Sequence, residues 1–250
     1  MTDLTQQFAR FAAGATAVPG DVRALAARAM AAVTAAAAGR ADHPAVAAIA
    51  KVADDLGTPP EAGVPGRSQR YSAPWAALLI GAAASGIGAT GYAAVVVPAG
   101  LAAGAERGAR LDAVADAVAI GLEIAERLDA ALAGSLGAFD RVATIGRLGG
   151  AATAGRLLGL PTAATAHALG IAATQAAGFA CLAAEPIGAL QCGKAAADAV
   201  QAAYLAAAGF TAATASIEGR RGFTALLAPR AEAQDAAADL SRTWILRSRQ

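Results

Sequence analysis

The 250 residues carry 20 Lys and Arg against 19 Asp and Glu, a net charge of +1, which excludes binding nucleic acid by phosphate neutralisation. Apolar residues make up 56% and aromatics only 4%, so the core must be built from Ala, Val, Leu and Ile, and alanine's helix propensity favours an all-α chain. Cys181 and Cys192, His43 and His167 are too few and too scattered for a zinc site. No metal or cofactor is expected.

Leu4, Phe8, Phe11 and Ala15 recur at helical spacing and predict a first helix that ends near Gly14. Pro19-Gly20 predicts a turn, with Asp21 capping a second helix whose stripe is Val22, Leu25, Ala29, Val33 and Ala36 and whose stop is Gly39. Asp42-His43-Pro44 opens a third, with Pro44 at its first position, Val46, Ile49, Val52 and Leu56 inward, and Gly57 closing it. His43 reads as a cap or surface residue. Residues 57–74, GTPPEAGVPGRSQRYSAP, read as a loop inside one domain spanning 1–250, with room for a short strand.

Residues 75–87 predict a buried helix, 88–92 break it, and 97–104 resume helical character at Pro98. The run 71–105 has no charge, yet Pro74, Gly81, Gly86, Gly88, Gly91 and Pro98 interrupt it, and alanine supplies much of its hydropathy. Buried helices of a soluble bundle explain it better than a membrane span. Gly86 and Gly88 lack the preceding strand and third glycine of a dinucleotide-binding turn. Residues 111–132 have the clearest amphipathic pattern, with Val114, Val118, Leu122, Ala125, Leu128 and Leu132 opposite Asp112, Asp116, Glu123 and Glu126.

Residues 144–178 read as two helices parted at Gly159-Leu160-Pro161. Gly146, Gly149, Gly150, Ala154, Ala166, Gly170, Ala173 and Ala177 let helix backbones approach closely, which places the pair at the centre of the domain. Residues 181–193 read as a loop broken by Pro186 and Gly188, 194–208 as a helix ended by Gly209, 216–227 as a helix-like tail and 232–244 as a last helix.

The segments VPAGLAAGAE (97–106), AIGLEIAERL (119–128), RLLGL with AHALGIAATQAAG, and SIEGRRGF (216–223) carry a resemblance to the MmgE/PrpD family, which includes 2-methylcitrate dehydratase, cis-aconitate decarboxylase and iminodisuccinate epimerase. The resemblance implies an all-α, MmgE/PrpD-type helical domain, a multi-helix bundle of Ala-rich helices, followed in the family by an α/β lid that closes the active-site cleft. This chain is expected to be lid-less, since it stops about where the lid would begin. With no secretory leader in residues 1–10, a reduced, cytoplasmic setting is expected.

The family's catalytic groups map onto different residues here. Its HALDYDDTH segment matches SGIGATGYA, so the acid positions fall on Gly88, Thr90 and Gly91, and the histidines on Ser85 and Ala93. Its GFHPT loop matches Ala138-Phe139-Asp140-Arg141-Val142, with Asp140 in the histidine position. The lysine and histidine of TKRLHPG match Gly188 and Gln191. Proton abstraction from carbon needs a positioned base, acid and carboxylate-binding cations, which glycine, alanine and glutamine do not supply.

The candidate pocket residues are therefore Ser85, Gly88, Tyr92, Asp140, Arg141, Gln191, Cys192 and Lys194. Lys194, placed near a helix start, is a candidate anion holder, against a solvated lysine as the plain alternative. Asp140-Arg141 either faces the old cleft or is an ordinary exposed pair. His167 reads as a buried histidine holding a backbone group in preference to a catalytic one. Glu218, Arg220 and Arg221 read as an ion-paired turn.

Two functions remain open. One is a diverged member that has lost lyase activity and serves as a binding or scaffold protein, with a full-length relative as a candidate partner. The other is an enzyme with a repurposed pocket, a lyase, isomerase or cyclase for a less polar substrate in specialised metabolism. The long uncharged runs predict a homodimer, with a small-molecule ligand as the further partner, through 146–178 or 71–105.

Overall fold

The computed structural model describes residues 3–85, 91–132, 136–229 and 233–248, the side chain of Gln234 excepted. Gly88 and Thr90 of the expected site lie outside the described residues. Ten α-helices stand among those described, with a two-stranded antiparallel hairpin as the sole sheet. The all-α reading holds.

The helices are α1 (Leu4–Ala13), α2 (Gly20–Gly39), α3 (Pro44–Leu56), α4 (Ala73–Ala84), α5 (Ala93–Glu106), α6 (Leu111–Ala131), α7 (Arg141–Leu157), α8 (Thr162–Thr174), α9 (Pro186–Ala207) and α10 (Phe223–Leu227). The hairpin, β1 (Ala62–Gly63) with β2 (Arg70–Tyr71), stands inside the predicted 57–74 loop and pairs Ala62 with Tyr71.

α7 is the hub, packed by α1, α5, α6, α8 and α9. Its glycines explain how one helix can touch so many others. A Cβ at Gly146 would stand 3.0 Å from Val95 of α5, one at Gly149 2.4 Å from the Gly121 carbonyl of α6, and one at Gly150 2.8 Å from Ala199 of α9. Each glycine admits a different neighbour. α4 and α9 meet the same way, where a Cβ on Gly193 would fall 2.4 Å from the Leu78 carbonyl and one on Gly81 2.9 Å from the Gly193 Cα. The predicted central pair is thus present, parted at Gly159, which takes a left-handed φ of 70°.

Several boundaries differ from expectation, each for a physical reason. Pro98 does not restart a helix but lies inside α5, which begins at Ala93. The Ala94 carbonyl, which a proline at 98 leaves without its helical donor, faces the glycine at position 81, where an added Cβ would be 3.2 Å away. Pro186 does not break a loop; it opens α9, because proline's fixed φ suits a first helical turn. Lys194 is therefore well inside α9, not at its start.

In α2 the buried stripe is Val22, Ala26, Met30, Val33 and Ala37, and Pro19, not Asp21, occupies the N-cap. In α3 Val46, Ala50 and Ala53 are buried while Val52 and Leu56 are 50% and 64% exposed. Alanine-rich helices leave the facing side poorly marked. The predicted last helix at 232–244 is instead a 3₁₀ turn, Ala233–Ala237, followed by further turns.

The α6 stripe is buried as predicted, but Glu123 opposite it is fully buried too. Its carboxylate accepts from Arg127 Nε at 2.6 Å and from the Ile245 and Leu246 N–H groups at 3.0 Å. Arg127 in turn donates to the carbonyls of Ala238 and Thr243 at 2.6 and 2.7 Å. This pair fastens the C-terminal segment to α6.

Among the described residues one helix, α2, is long and apolar enough to cross a membrane by length and composition. It carries Asp21, Arg23 and Arg28, and it packs on α4, α5 and α6. Of the helices in the stretches expected to meet a second copy, α4, α5 and α7 are buried along most of their described lengths.

Candidate functional site

Of the residues singled out from the sequence, Asp140, Gln191, Cys192 and Lys194 gather where the start of α7 meets α9, and Tyr92 and Arg141 meet at Asp129. Asp140 is the N-cap of α7, its Oδ1 accepting from the Ala143 N–H at 2.7 Å. Its own N–H donates to the Gly178 carbonyl at 3.0 Å, and Ala180 N–H donates to Ala138 O at 2.8 Å, so 138–140 runs beside 178–180. Gly178, at φ 112°, fits between Asp140 and Gln191, whose Cβ and Oε1 would lie 3.3 and 3.4 Å from an added Cβ.

Gln191, on the second turn of α9, holds the same loop. Its Oε1 accepts from Phe179 N–H at 2.6 Å and its Nε2 donates to Phe179 O at 3.4 Å. Cys192 is half-buried behind it, and burial, then the Asp140 carboxylate, push its thiol up to about 12.

Arg141 turns away from this group. Its Nε donates to Asp129 Oδ1 at 2.9 Å, and Tyr92, at the start of α5, also hydrogen-bonds Asp129. Burial first, and the Asp129 carboxylate second, raise the Tyr92 phenol far above its ordinary range, so it stays protonated. Ser85 caps the end of α4, donating to the Ala82 carbonyl at 3.1 Å.

Beside Gln191 opens a cavity of about 470 Å³, walled by Phe139, Phe179, Leu182, Ile187 and Leu190. Lys194 and Arg147 also line it. Arg147, on α7, is only 2% exposed, with Nη2 3.3 Å from Asp198 Oδ2 on α9. Lys194 pairs with the other oxygen of the same carboxylate. Burial lowers the pKa of the Arg147 guanidinium, and the Asp198 charge works against that shift. Arg147 is not among the residues the sequence pattern singles out, since the glycines around it dominate that pattern. A lone cation in the apolar run IGRLGG, with an acid on the next helical turn from Lys194, was the available signal.

The remaining polar residues are structural. His43 Nδ1 accepts from Ala45 N–H at 3.3 Å as the cap of α3, and His167 Nδ1 accepts from Ala212 N–H at 3.2 Å. Glu218 does not make the expected ion-paired turn with arginine; it accepts from the Thr5 hydroxyl at 2.5 Å and the Thr5 N–H at 3.1 Å, tying 216–223 to the start of α1. Arg156, in the RLLGL run, donates to the Ala12 and Gly14 carbonyls at 2.8 and 2.9 Å and closes the other end of α1. Among the described residues no three His, Cys, Asp or Glu side chains are grouped to hold a metal.

The fold defines the class, an all-α domain organised on one glycine-rich helix. Residues 6–235 match the MmgE/PrpD N-terminal domain, and the chain belongs to the MmgE/PrpD family. No curated protein matches it.

Proposed function

We propose that this chain is a member of its family without lyase chemistry, which binds a small molecule at the Arg147 cavity and pairs with a second copy of itself. The observation that carries this is how the residues at the family's acid–base positions are used. Asp140, where the resemblance puts a histidine, directs its carboxylate to the Ala143 N–H as a helix cap. Gln191, in the place of the second histidine, has both ends of its amide on the Phe179 backbone. Gly188, in the place of the lysine, leaves no room for any side chain, since a Cβ there would stand 2.2 Å from the Ala183 carbonyl. A general base must reach its proton and titrate near the working pH. Of the described residues lining the cavity, Lys194 and Arg147 are the charged ones, and Asp198 engages both.

The test is turnover. Purified protein is expected to leave 2-methylcitrate and cis-aconitate unchanged, and a rate near that of ordinary enzymes, about 1–10³ s⁻¹, sinks the proposal. For pairing, helices α4, α5 and α7, which fall in the two expected contact stretches, are mostly buried and make poor surfaces. Leu205, Phe210 and Leu226, which are 38%, 59% and 75% exposed around one shallow depression, support a contact there instead.

A further inference from the structure

Arg147 is buried in the floor of an apolar cavity, and its hydrogen bonding is incomplete. A guanidinium has five N–H donors. Asp198 lies against Nη2, while Nε and Nη1 have no acceptor among the described residues. Three donors on this enclosed cation, a residue that lines the cavity, are therefore unsatisfied within the described chain. Among the described residues the charges here do not cancel: Arg147 and Lys194 are positive, and the Asp198 carboxylate is shared between them. The Asp140 carboxylate, at the start of the same helix, accepts from the Ala143 N–H as the cap of α7. Phe179, Ile187 and Leu190, also lining the cavity, are 58%, 43% and 37% exposed. Large apolar side chains grouped around one incompletely bonded cation form a surface with two chemistries, and a single amphiphile satisfies both.

We propose that the cavity binds a carboxylic acid with one negative charge and an apolar body, its carboxylate on Arg147 with Lys194 beside it and its hydrocarbon along Phe179, Ile187 and Leu190. The volume of about 470 Å³ lies within the usual range for small-molecule sites, about 300–1,000 Å³. A net charge of +1 on the floor matches a single carboxylate; a tricarboxylate would bring surplus charge against apolar walls, which is costly without further partners. The proposal deepens the small-molecule half of the proposed function and rests on it.

Decanoate, decanol and citrate are titrated into the full chain by calorimetry, with Arg147→Met and Lys194→Gln as variants. Decanoate is expected to bind one to one, at least about tenfold more tightly than decanol, because a charge-assisted hydrogen bond to a buried group is strong. Arg147→Met is expected to lose about tenfold or more toward decanoate and little toward decanol. Lys194→Gln, at a more exposed side chain, is expected to lose about threefold. Equal binding of decanol and decanoate, preference for citrate, or no decanoate binding at millimolar concentration each overturns the proposal. So does a folded Arg147→Met that binds decanoate as before. If Arg147→Met does not fold, the decanoate-to-decanol ratio of the unmodified chain and the Lys194→Gln variant decide. Failure here with no lyase turnover leaves the non-lyase reading standing, whereas turnover of 2-methylcitrate strikes that reading independently of any decanoate result.

Discussion

Gly121 and Gly149 face each other where α6 crosses α7, and each carbonyl oxygen lies 2.4 Å from where the other's Cβ would be built. The Thr153 hydroxyl spans the same crossing, 3.1 Å from the Ala117 carbonyl and 3.0 Å from that of Gly149. Neither glycine is needed for a positive φ; both are needed for close approach. A Cβ at Gly121 would also meet Thr153 Oγ1 at 2.0 Å.

Gly121→Ala is accordingly expected to destabilise the protein by about 2 kcal/mol or more, since overpacking against backbone typically costs about 1–3 kcal/mol. Gly39→Ala, at a helix glycine with nothing within 4 Å of an added Cβ, is the control and should be neutral or stabilising by about 0.5 kcal/mol. Urea unfolding midpoints of the two variants decide, and equal midpoints would remove the close-approach account.

Glu123→Ala leaves the Arg127 guanidinium buried without its carboxylate and frees the N–H groups of Ile245 and Leu246. Removing one partner of a buried ion pair costs about 3–5 kcal/mol. The loss should be local before it is global, so trypsin is expected to cut at Arg242 and Arg247 sooner than in the unmodified protein. An unchanged cleavage pattern in a folded variant would show that the pair does not hold the C-terminal segment.

The two cysteines should separate by reactivity. Cys181 is exposed, while burial and the Asp140 charge hold the Cys192 thiol near 12, so at pH 8 Cys192 is almost wholly protonated and a poor nucleophile. Iodoacetamide at pH 8 is expected to label Cys181 alone on the minute scale, and labelling of Cys192 should rise with pH toward 12. Equal rates at pH 8, read by peptide mass spectrometry, contradict the assignment.

Glycine and proline punctuation made most of the architecture legible before any coordinates. Gly57, Gly159 and Gly209 all take left-handed φ values within two residues of a helix end. The same rule misled at Pro98 and Pro186, because proline's local effect depends on what stands opposite. The glycine at 81 makes room beside the Ala94 carbonyl, and a first-turn position has no helical bond to lose. Helix faces in α2 and α3 were misjudged by a residue or more, since alanine is compatible with either side. At the site, the residues at the family's catalytic positions could be named from the resemblance, but their employment could not. The Asp140 cap depends on Ala143, the Gln191 clamp on Phe179, and Arg147 on Asp198 of another helix. Of these, the cap alone is local in sequence.

The pairing surface yields the last prediction. Leu226, Phe210 and Leu205 are exposed large apolar side chains, and they line one depression of about 770 Å³ together with Ile171 and Phe223. Exposed apolar side chains gathered at one place mark an interface more often than isolated ones do. A two-fold contact would use the patch once on each copy, burying all three residues twice over. Light scattering at low micromolar concentration is expected to give twice the 24.3 kDa chain mass. Phe210→Glu with Leu226→Glu places two charges on each side of the contact while touching only exposed positions, so the double variant should fold and run as a single chain. A 24.3 kDa species in the unmodified protein denies the dimer. A dimer that survives both glutamates places the contact on another face.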